Sequence, residues 1–303
     1  MTSNPLQLAR GLALPSREAS LRRDPSVHRF WETNKQTLVE AWREWEDVNE
    51  DGLLVPDTTL LDGRLRDAVV RAWEDPTQEG AVRELFREVS PGVFECQFFD
   101  VDRLVEFRAY LEDVWDAEIP VRPPYGIVLN RRGAMLDPRS EGFLGAPAFQ
   151  VFYRELIDSY MRPIARLLFP EVVGYDTQSF GFSIQYQPDT DTSIRPHTDA
   201  SAVTLNINVN VPGEEFSGSA VKFFGSQSSE ATELVFRPGV AVIHRGNIAH
   251  AAQPIQSGSR TNLVLWLYGA HGQLPSWKTN GATCGAQERW KVSTAEQDGF
   301  APF

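Results

Sequence analysis

Beyond Tyr175 the spacing of apolar residues changes from a period near 3.6 to a period of 2, and no other feature narrows the possible folds as much. SFGFSIQYQ, SAVTLNINVNV, SAVKFF, TELVFR, VAVIH and TNLVLWLYG alternate or run continuously apolar, with turn residues between them. Such a series of short strands, packed into roughly a hundred residues, indicates an antiparallel sandwich or a barrel-like jelly roll.

The preceding residues read differently. From about Ser26 to Val89 the pattern is helical: Phe30, Leu38, Trp42 and Trp45 fall on one face. A second helix opens at Asp57 as N-cap and carries Leu60, Leu61, Leu65, Val69, Val70 and Trp73, and EGAVRELFREV reads as a third, closed by Ser90-Pro91-Gly92. These stripes are expected to be core packing rather than a ligand box. GVFECQFF reads as a strand, VDRLVEFRAYLEDVWDAE as a helix and Tyr125 to Leu129 as a short strand. Asn130 to Gly145, with Arg131 and Arg132, reads as an irregular loop shaped like a lid. FQVFYRELIDSYMRPIARLLF returns to helix, with a kink expected at Pro163. The class is therefore mostly β with supporting α. Three regions are expected: helical 1–92 with a disordered lead, a β domain over 93–274, and a polar tail over 275–303.

Composition excludes several roles. A net charge of -12 argues against a nucleic-acid or anionic-membrane surface, which would need clustered Lys and Arg. No apolar run is long enough for a membrane span, and MTSNPLQLARGLALPSREASLRR lacks the apolar core of a signal peptide. The two cysteines, Cys96 and Cys284, form no C-x-x-C motif. A cytoplasmic protein with reduced thiols is expected, with neither nucleic acid nor membrane as partner.

The chemistry concentrates late in the chain. Arg195-Pro196-His197-Thr198-Asp199 supplies a His-x-Asp pair whose side chains, at i and i+2 of a strand, can share a face. His250 follows the strand VAVIH, and an antiparallel partner can bring it beside His197, with His244 as competitor for that place. Two imidazoles and a carboxylate form the ligand set of a non-haem Fe(II) facial triad, which leaves coordination positions open. Arg260 begins the strand RTNLVLWLYG, where Arg260, Asn262, Val264 and Trp266 share one face. If that face is buried, the guanidinium needs a partner, and a carboxylate suits its planar fork. Thr204 and Asn206 share a polar face of TLNINVN, which either faces solvent or lines a polar cavity. Tyr186 either offers its phenol to the same ligand or packs in the core. His28 and His271 lie outside the strand-rich run and are expected to be ordinary surface residues.

These residues resemble the 2-oxoglutarate and Fe(II)-dependent dioxygenases, in the lysyl and prolyl hydroxylase branch. HTDASAVTLNINVN is similar to the lysyl hydroxylase metal strand, and FRPGVAVIHRGNIAHAAQPIQSGSRTNLVLWL to that family's distal-histidine and arginine segment. Phe94 to Cys96, Tyr125 to Ile127, Arg162 to Pro170 and Asp298 to Phe300 are similar to segments of the 2-oxoglutarate and iron-dependent oxygenase domain-containing proteins. The chain departs from the pattern at Asp189, where the family carries a glycine, and at the shortened turn Ser217-Gly218-Ser219-Ala220.

The resemblance implies a double-stranded β-helix (jelly roll) core flanked by helices. Its spacing selects His250 over His244, so that His197, Asp199 and His250 would hold Fe(II). Arg260 would take the distal carboxylate of 2-oxoglutarate, with help from Tyr186, Thr204 or Asn206. Dioxygen is the implied oxidant and ascorbate an implied reductant. The implied reaction is hydroxylation of an unactivated C–H of an amino-acid residue in a peptide or protein, with release of succinate and CO2. The alternative is a tailoring oxygenase acting on a free amino acid or small natural product. A non-catalytic binding scaffold and a zinc hydrolase are weaker readings: all four residues are kept, and no H-E-x-x-H motif occurs.

Overall fold

The computed structural model describes residues 4–124, 133–190, 192–225, 231–276 and 284–302. The segment expected as a strand at Tyr125 to Leu129 lies outside the described residues, as do Arg131 and Arg132. In chain order the helices are α1 (Pro5–Arg10), α2 (Arg17–Leu21), α3 (Pro25–Asn49), α4 (Gly63–Glu74), α5 (Gly80–Glu84), α6 (Leu104–Asp116), α7 (Pro147–Glu155), α8 (Arg162–Leu168) and α9 (Ala286–Arg289). The strands are β1 (Arg87–Ser90), β2 (Val93–Gln97), β3 (Ala134–Met135), β4 (Gln178–Tyr186), β5 (Ile194–His197), β6 (Val203–Asn208), β7 (Ser217–Gly218), β8 (Val221–Phe223), β9 (Thr232–Leu234), β10 (Val240–Arg245), β11 (His250–Ala252), β12 (Ile255–Ser257) and β13 (Arg260–Tyr268).

A seven-stranded sheet runs β1-β2-β10-β6-β13-β4-β3, and a four-stranded sheet runs β5-β11-β8-β9. The pairings are antiparallel, and the chain passes repeatedly between the two sheets, giving the expected jelly roll. Alternation along the large sheet separates two environments. Leu205, Ile207, Ile243, Leu263, Leu265 and Leu267 point outward into one cluster with the helices, among them Trp42, Leu65, Tyr110 and Phe149. Phe182, Ile184, Val264 and Trp266 point inward between the sheets. The helices thus cover one face of the large sheet and leave the space between the sheets to the site.

Local chemistry explains most of the helix boundaries. Asp24 caps α3, accepting from the Ser26 N–H at 2.8 Å, with Pro25 at the first helical position. Leu38, Trp42 and Trp45 are buried on α3 as the spacing implied, Phe30 only partly, and its neighbour Trp31 is buried as well. Asp57 caps only a single 3-10 turn; α4 begins later, with Asp62 accepting from the Arg64 and Leu65 N–H groups. The third expected helix stops at Glu84. Residues Arg87–Ser90 pair instead with β2 across a turn at Pro91-Gly92, where Gly92 takes φ +74°. The pairing with β2 outweighs the weak helical preference of that stretch. The loop from Asn130 likewise contains a short strand, β3, paired to β4 through Ala134 and Met135.

The kink expected at Pro163 takes the form of a π-helical turn over Leu156–Met161. Proline lacks the N–H that would bond the carbonyl four residues earlier. That carbonyl, on Ser159, accepts the indole N–H of Trp73 at 2.9 Å instead, which ties α4 to the α7–α8 unit. The C-terminal segment 284–302 packs against this unit: Trp290 is buried edge-on to Trp73, and Arg166 donates to the Lys291 carbonyl at 2.8 Å.

Candidate active site

Strand register brings the distant residues together. In the small sheet His250 of β11 stands directly opposite His197 of β5, and the ring centroids lie 4.4 Å apart. Asp199 arrives by a different route from the one expected. β5 ends at His197, so Asp199 sits in the following turn rather than on the same strand face. The turn is held where the Asp199 N–H donates to the Gly246 carbonyl at 2.9 Å and the Gly246 N–H donates to the Ala202 carbonyl at 3.1 Å. A side chain at Gly246 would place its Cβ 1.9 Å from the Ser201 carbonyl oxygen, so only glycine permits this approach.

The donor atoms of His197, Asp199 and His250 all lie within 4.8 Å of one another. His197 Nε2 is 3.5 Å from Asp199 Oδ1, and His250 Nε2 is 3.8 Å from Oδ2. Each Nδ1 meets a backbone carbonyl, of Arg195 at 2.8 Å and of Ile248 at 3.0 Å. A carbonyl can only accept, so the hydrogen sits on Nδ1 and Nε2 of the neutral ring turns its lone pair to the shared centre. Asp199 is backed by Thr204, whose hydroxyl donates to Oδ2 at 2.6 Å. Burial alone would raise the Asp199 pKa, but the His197 hydrogen bond, the charges of His250 and His244 and the Thr204 hydroxyl bring it to about 2. Its hydrogen bond to Asp199 raises the His197 pKa against the effect of burial, whereas burial lowers that of His250. Two neutral imidazoles and an ionised carboxylate, without thiolate, suit Fe(II).

These groups line a cavity of about 770 Å³ between the sheets. Arg260 is on its wall, 1 % exposed, directly opposite Tyr186 in the β13–β4 register. Its guanidinium carbon lies 4.3 Å from the Tyr186 ring centroid and 5.1 Å from that of Phe236. Nε and Nη1 are buried with no hydrogen-bond partner among the described residues. Burial lowers the pKa of Arg260, but a guanidinium stays charged. A buried cation with unused donors on a cavity wall is a socket for an anion, so the residues present fit a carboxylate ligand.

The polar face of β6 turns inward. Thr204 and Asn206 line the cavity; the Thr204 hydroxyl donates to Asp199, and Asn206 Oδ1 accepts from the Asn262 amide at 2.6 Å. His244, the competitor of His250 for the second imidazole, stands on the cavity wall. Its Nε2 is 3.9 Å from Asp199 Oδ2, its ring 4.8 Å from that of His250, and burial first and His250 second lower its pKa to about 4. Sequence reasoning also passed over Phe236, beneath Arg260, and Phe223, stacked on His250 at 5.5 Å. Strand parity could have found Phe223, but Phe236 lies outside any regular strand. His28 and His271 are exposed beside Glu141 and Asp298 and do not line the cavity.

Residues 172–268 match the family model described as the 2OG-Fe(II) oxygenase superfamily. The chain is 31% identical over 194 residues to the 2-oxoglutarate and iron-dependent oxygenase domain-containing protein ICU11 of Arabidopsis thaliana, covering 59% of this chain and 46% of that protein. It is 33% identical over 116 residues to human procollagen-lysine,2-oxoglutarate 5-dioxygenase 2, covering 37% and 15%. A solved oxidoreductase of the 2OG-Fe(II) oxygenase family from Burkholderia pseudomallei is similar with a TM-score of 0.43 at 15% identity, covering 73% of this chain and 94% of that one. The chain spans about half the length of the first curated relatives it matches. The segment that matches the 2OG-Fe(II) oxygenase superfamily model, residues 172–268, is the one that carries the His–Asp–His cluster and Arg260.

Proposed function

We propose that the protein is a 2-oxoglutarate- and Fe(II)-dependent dioxygenase that hydroxylates an unactivated C–H of an amino-acid residue in a peptide or protein. The observation that carries this reading is Arg260, whose unpartnered Nε and Nη1 face the need for a carboxylate on the wall of the cavity that holds His197, Asp199 and His250. The two Nε2 atoms and the Asp199 carboxylate would hold the iron, and Arg260 would hold the far carboxylate of 2-oxoglutarate. Bound together, iron and keto acid supply oxidative decarboxylation by O2, so that one oxygen atom enters the substrate C–H and the other leaves in succinate, alongside CO2.

The chain's own residues orient and insulate. Tyr186 and Phe236 clamp the Arg260 guanidinium, so it is set before the ligand arrives. Thr204 fixes the Asp199 carboxylate, and the Arg195 and Ile248 carbonyls fix the two imidazoles. Phe182, Phe223, Val242 and Trp266 keep the inner cavity apolar. Ser193, Arg195, Thr198 and Ala200 are exposed at its lining, so the cavity has a side open to solvent. The relative named as a procollagen-lysine dioxygenase supports a peptidyl substrate.

The test is succinate formation from 2-oxoglutarate on admitting oxygen to Fe(II)-loaded protein, with binding measured in parallel. His197→Ala should lose metal binding. Arg260→Ala should keep metal and weaken 2-oxoglutarate at least about thirtyfold, the effect of leaving a buried charge unpaired. A wild type that neither makes succinate nor binds 2-oxoglutarate when metal-loaded would overturn the reading. Stimulation by free amino acids and not by peptides would move the substrate to the small-molecule class.

A further inference from the structure

A second crevice, of about 180 Å³, lies on the helix-covered side of the large sheet. Alternation along β4 separates it from the first: Ser179 lines the crevice, while Phe182, three residues on, lines the cavity. Its wall is formed by α7, the π-helical turn, the start of α8, and Ser293, Ala295 and Gln297 of the C-terminal segment. π-Helical turns recur at functional sites, and this one sets Asp158 one turn from Arg162.

Three side chains on this wall carry polar atoms without hydrogen-bond partners among the described residues. Arg162 is 4% exposed; its Nη2 bonds Asp158 at 2.8 Å, but Nε and Nη1 have no acceptor. Tyr153 is also 4% exposed with an unpartnered hydroxyl, and the Thr177 hydroxyl is unpartnered too. Burial pushes the Tyr153 phenol well above its ordinary range, so it remains a donor. Gly181 makes room for this ring, since a Cβ there would lie 2.7 Å from the Tyr153 oxygen.

Arg162 shares with Arg260 a buried guanidinium whose Nε and Nη1 are both unused, and a tyrosine lines the same wall. Arg154 adds a second cation to the lining, where Asp158 is the only acid among the described residues. A crevice with a local excess of positive charge, in a chain of net charge -12, has one complementary occupant. Its volume of about 180 Å³ accommodates a group the size of a phosphate or a small carboxylate. We infer that this crevice binds a small oxyanion, a carboxylate or phosphate, held by Arg162 with Tyr153 and Thr177 as hydroxyl donors.

The test is calorimetric titration of metal-free protein carrying Arg260→Gln, which silences the cavity, with inorganic phosphate and with succinate in separate runs. Saturable binding of either anion is expected, lost in Arg162→Gln and weakened about tenfold in Tyr153→Phe, with phosphate against succinate telling the two sources apart. Should Arg162→Gln fail to fold, Tyr153→Phe combined with Thr177→Val carries the comparison. No saturable binding in the millimolar range, or equal affinity in wild-type and variant crevices, would mean that the crevice holds only water and would sink the inference. The test is independent of oxygenase activity.

Discussion

At the level of single residues, the site depends on small groups that hold the obvious ones. Thr204 illustrates this: its hydroxyl donates to Asp199 Oδ2 at 2.6 Å and sits 2.9 Å from the Ser201 hydroxyl. Outer partners of this kind typically contribute about 10- to 100-fold in metal affinity. Thr204→Val keeps the shape and removes the donor, so metal titration should show a loss in that range with an unchanged circular dichroism spectrum. An unchanged affinity would show that Asp199 is held by its backbone alone. The triad and Arg260 were legible because their chemical types and spacing are unusual together. The partners of Thr204 were not, because whether a threonine faces a ligand or a carboxylate depends on a turn that sequence spacing does not describe.

Elements meet through a few exacting contacts. The turn carrying Asp199 touches the β10–β11 connection at Gly246, where a Cβ would sit 1.9 Å from a backbone oxygen. Gly246→Ala should cost about 1–3 kcal/mol in chemical denaturation, as overpacking does, and should weaken metal binding more than a distant variant of equal stability. Equal weakening in both would remove the special link to Asp199. Far from the site, Glu46 of α3 accepts from the Ala148 N–H at 3.0 Å with both oxygens, capping α7 from another helix. Burial raises the Glu46 pKa above 4.5, against the pull of its hydrogen bonds to Ala148 and Phe149. A raised folded-state value favours the fold below 4.5, and that contribution is lost as pH rises through the folded pKa. Glu46→Gln, which cannot ionise, should therefore gain on wild type as pH climbs through that window in denaturation curves. A constant difference would place the effect outside Glu46. The cap itself was invisible to local reading because its donor and acceptor are a hundred residues apart. Asp24, whose partner is two residues away, was within reach of such a reading.

Across the whole molecule, one hydrophobic cluster joins α3, α4, α6 and α7 to the outer face of the large sheet and takes in Trp290 of the C-terminal segment. Trp290 is buried, edge-on to Trp73 at 5.6 Å, and its indole donates to Glu79 at 2.9 Å. Trp290→Ala should destabilise by about 3–5 kcal/mol in chemical denaturation and leave the metal affinity of the folded protein intact, because this wall lies on the other side of the sheet. A change in metal affinity would mean that the outer layer sets the geometry of the cavity.

The change of period at Tyr175, the alternation of β6 and β13 and the co-occurrence of His197, Asp199, His250 and Arg260 already specified a sandwich with one chemical centre. Those properties are local: side-chain parity and ligand type follow from neighbouring residues in the chain. Tertiary structure alone decided that the polar face of β6 looks inward, that Asp199 arrives on a turn and that His244 stands beside the centre. It also decided that Arg87–Ser90 is strand rather than helix. Each of these rests on which distant segment packs opposite, and the free energy of that packing exceeds the small local preferences that sequence patterns record.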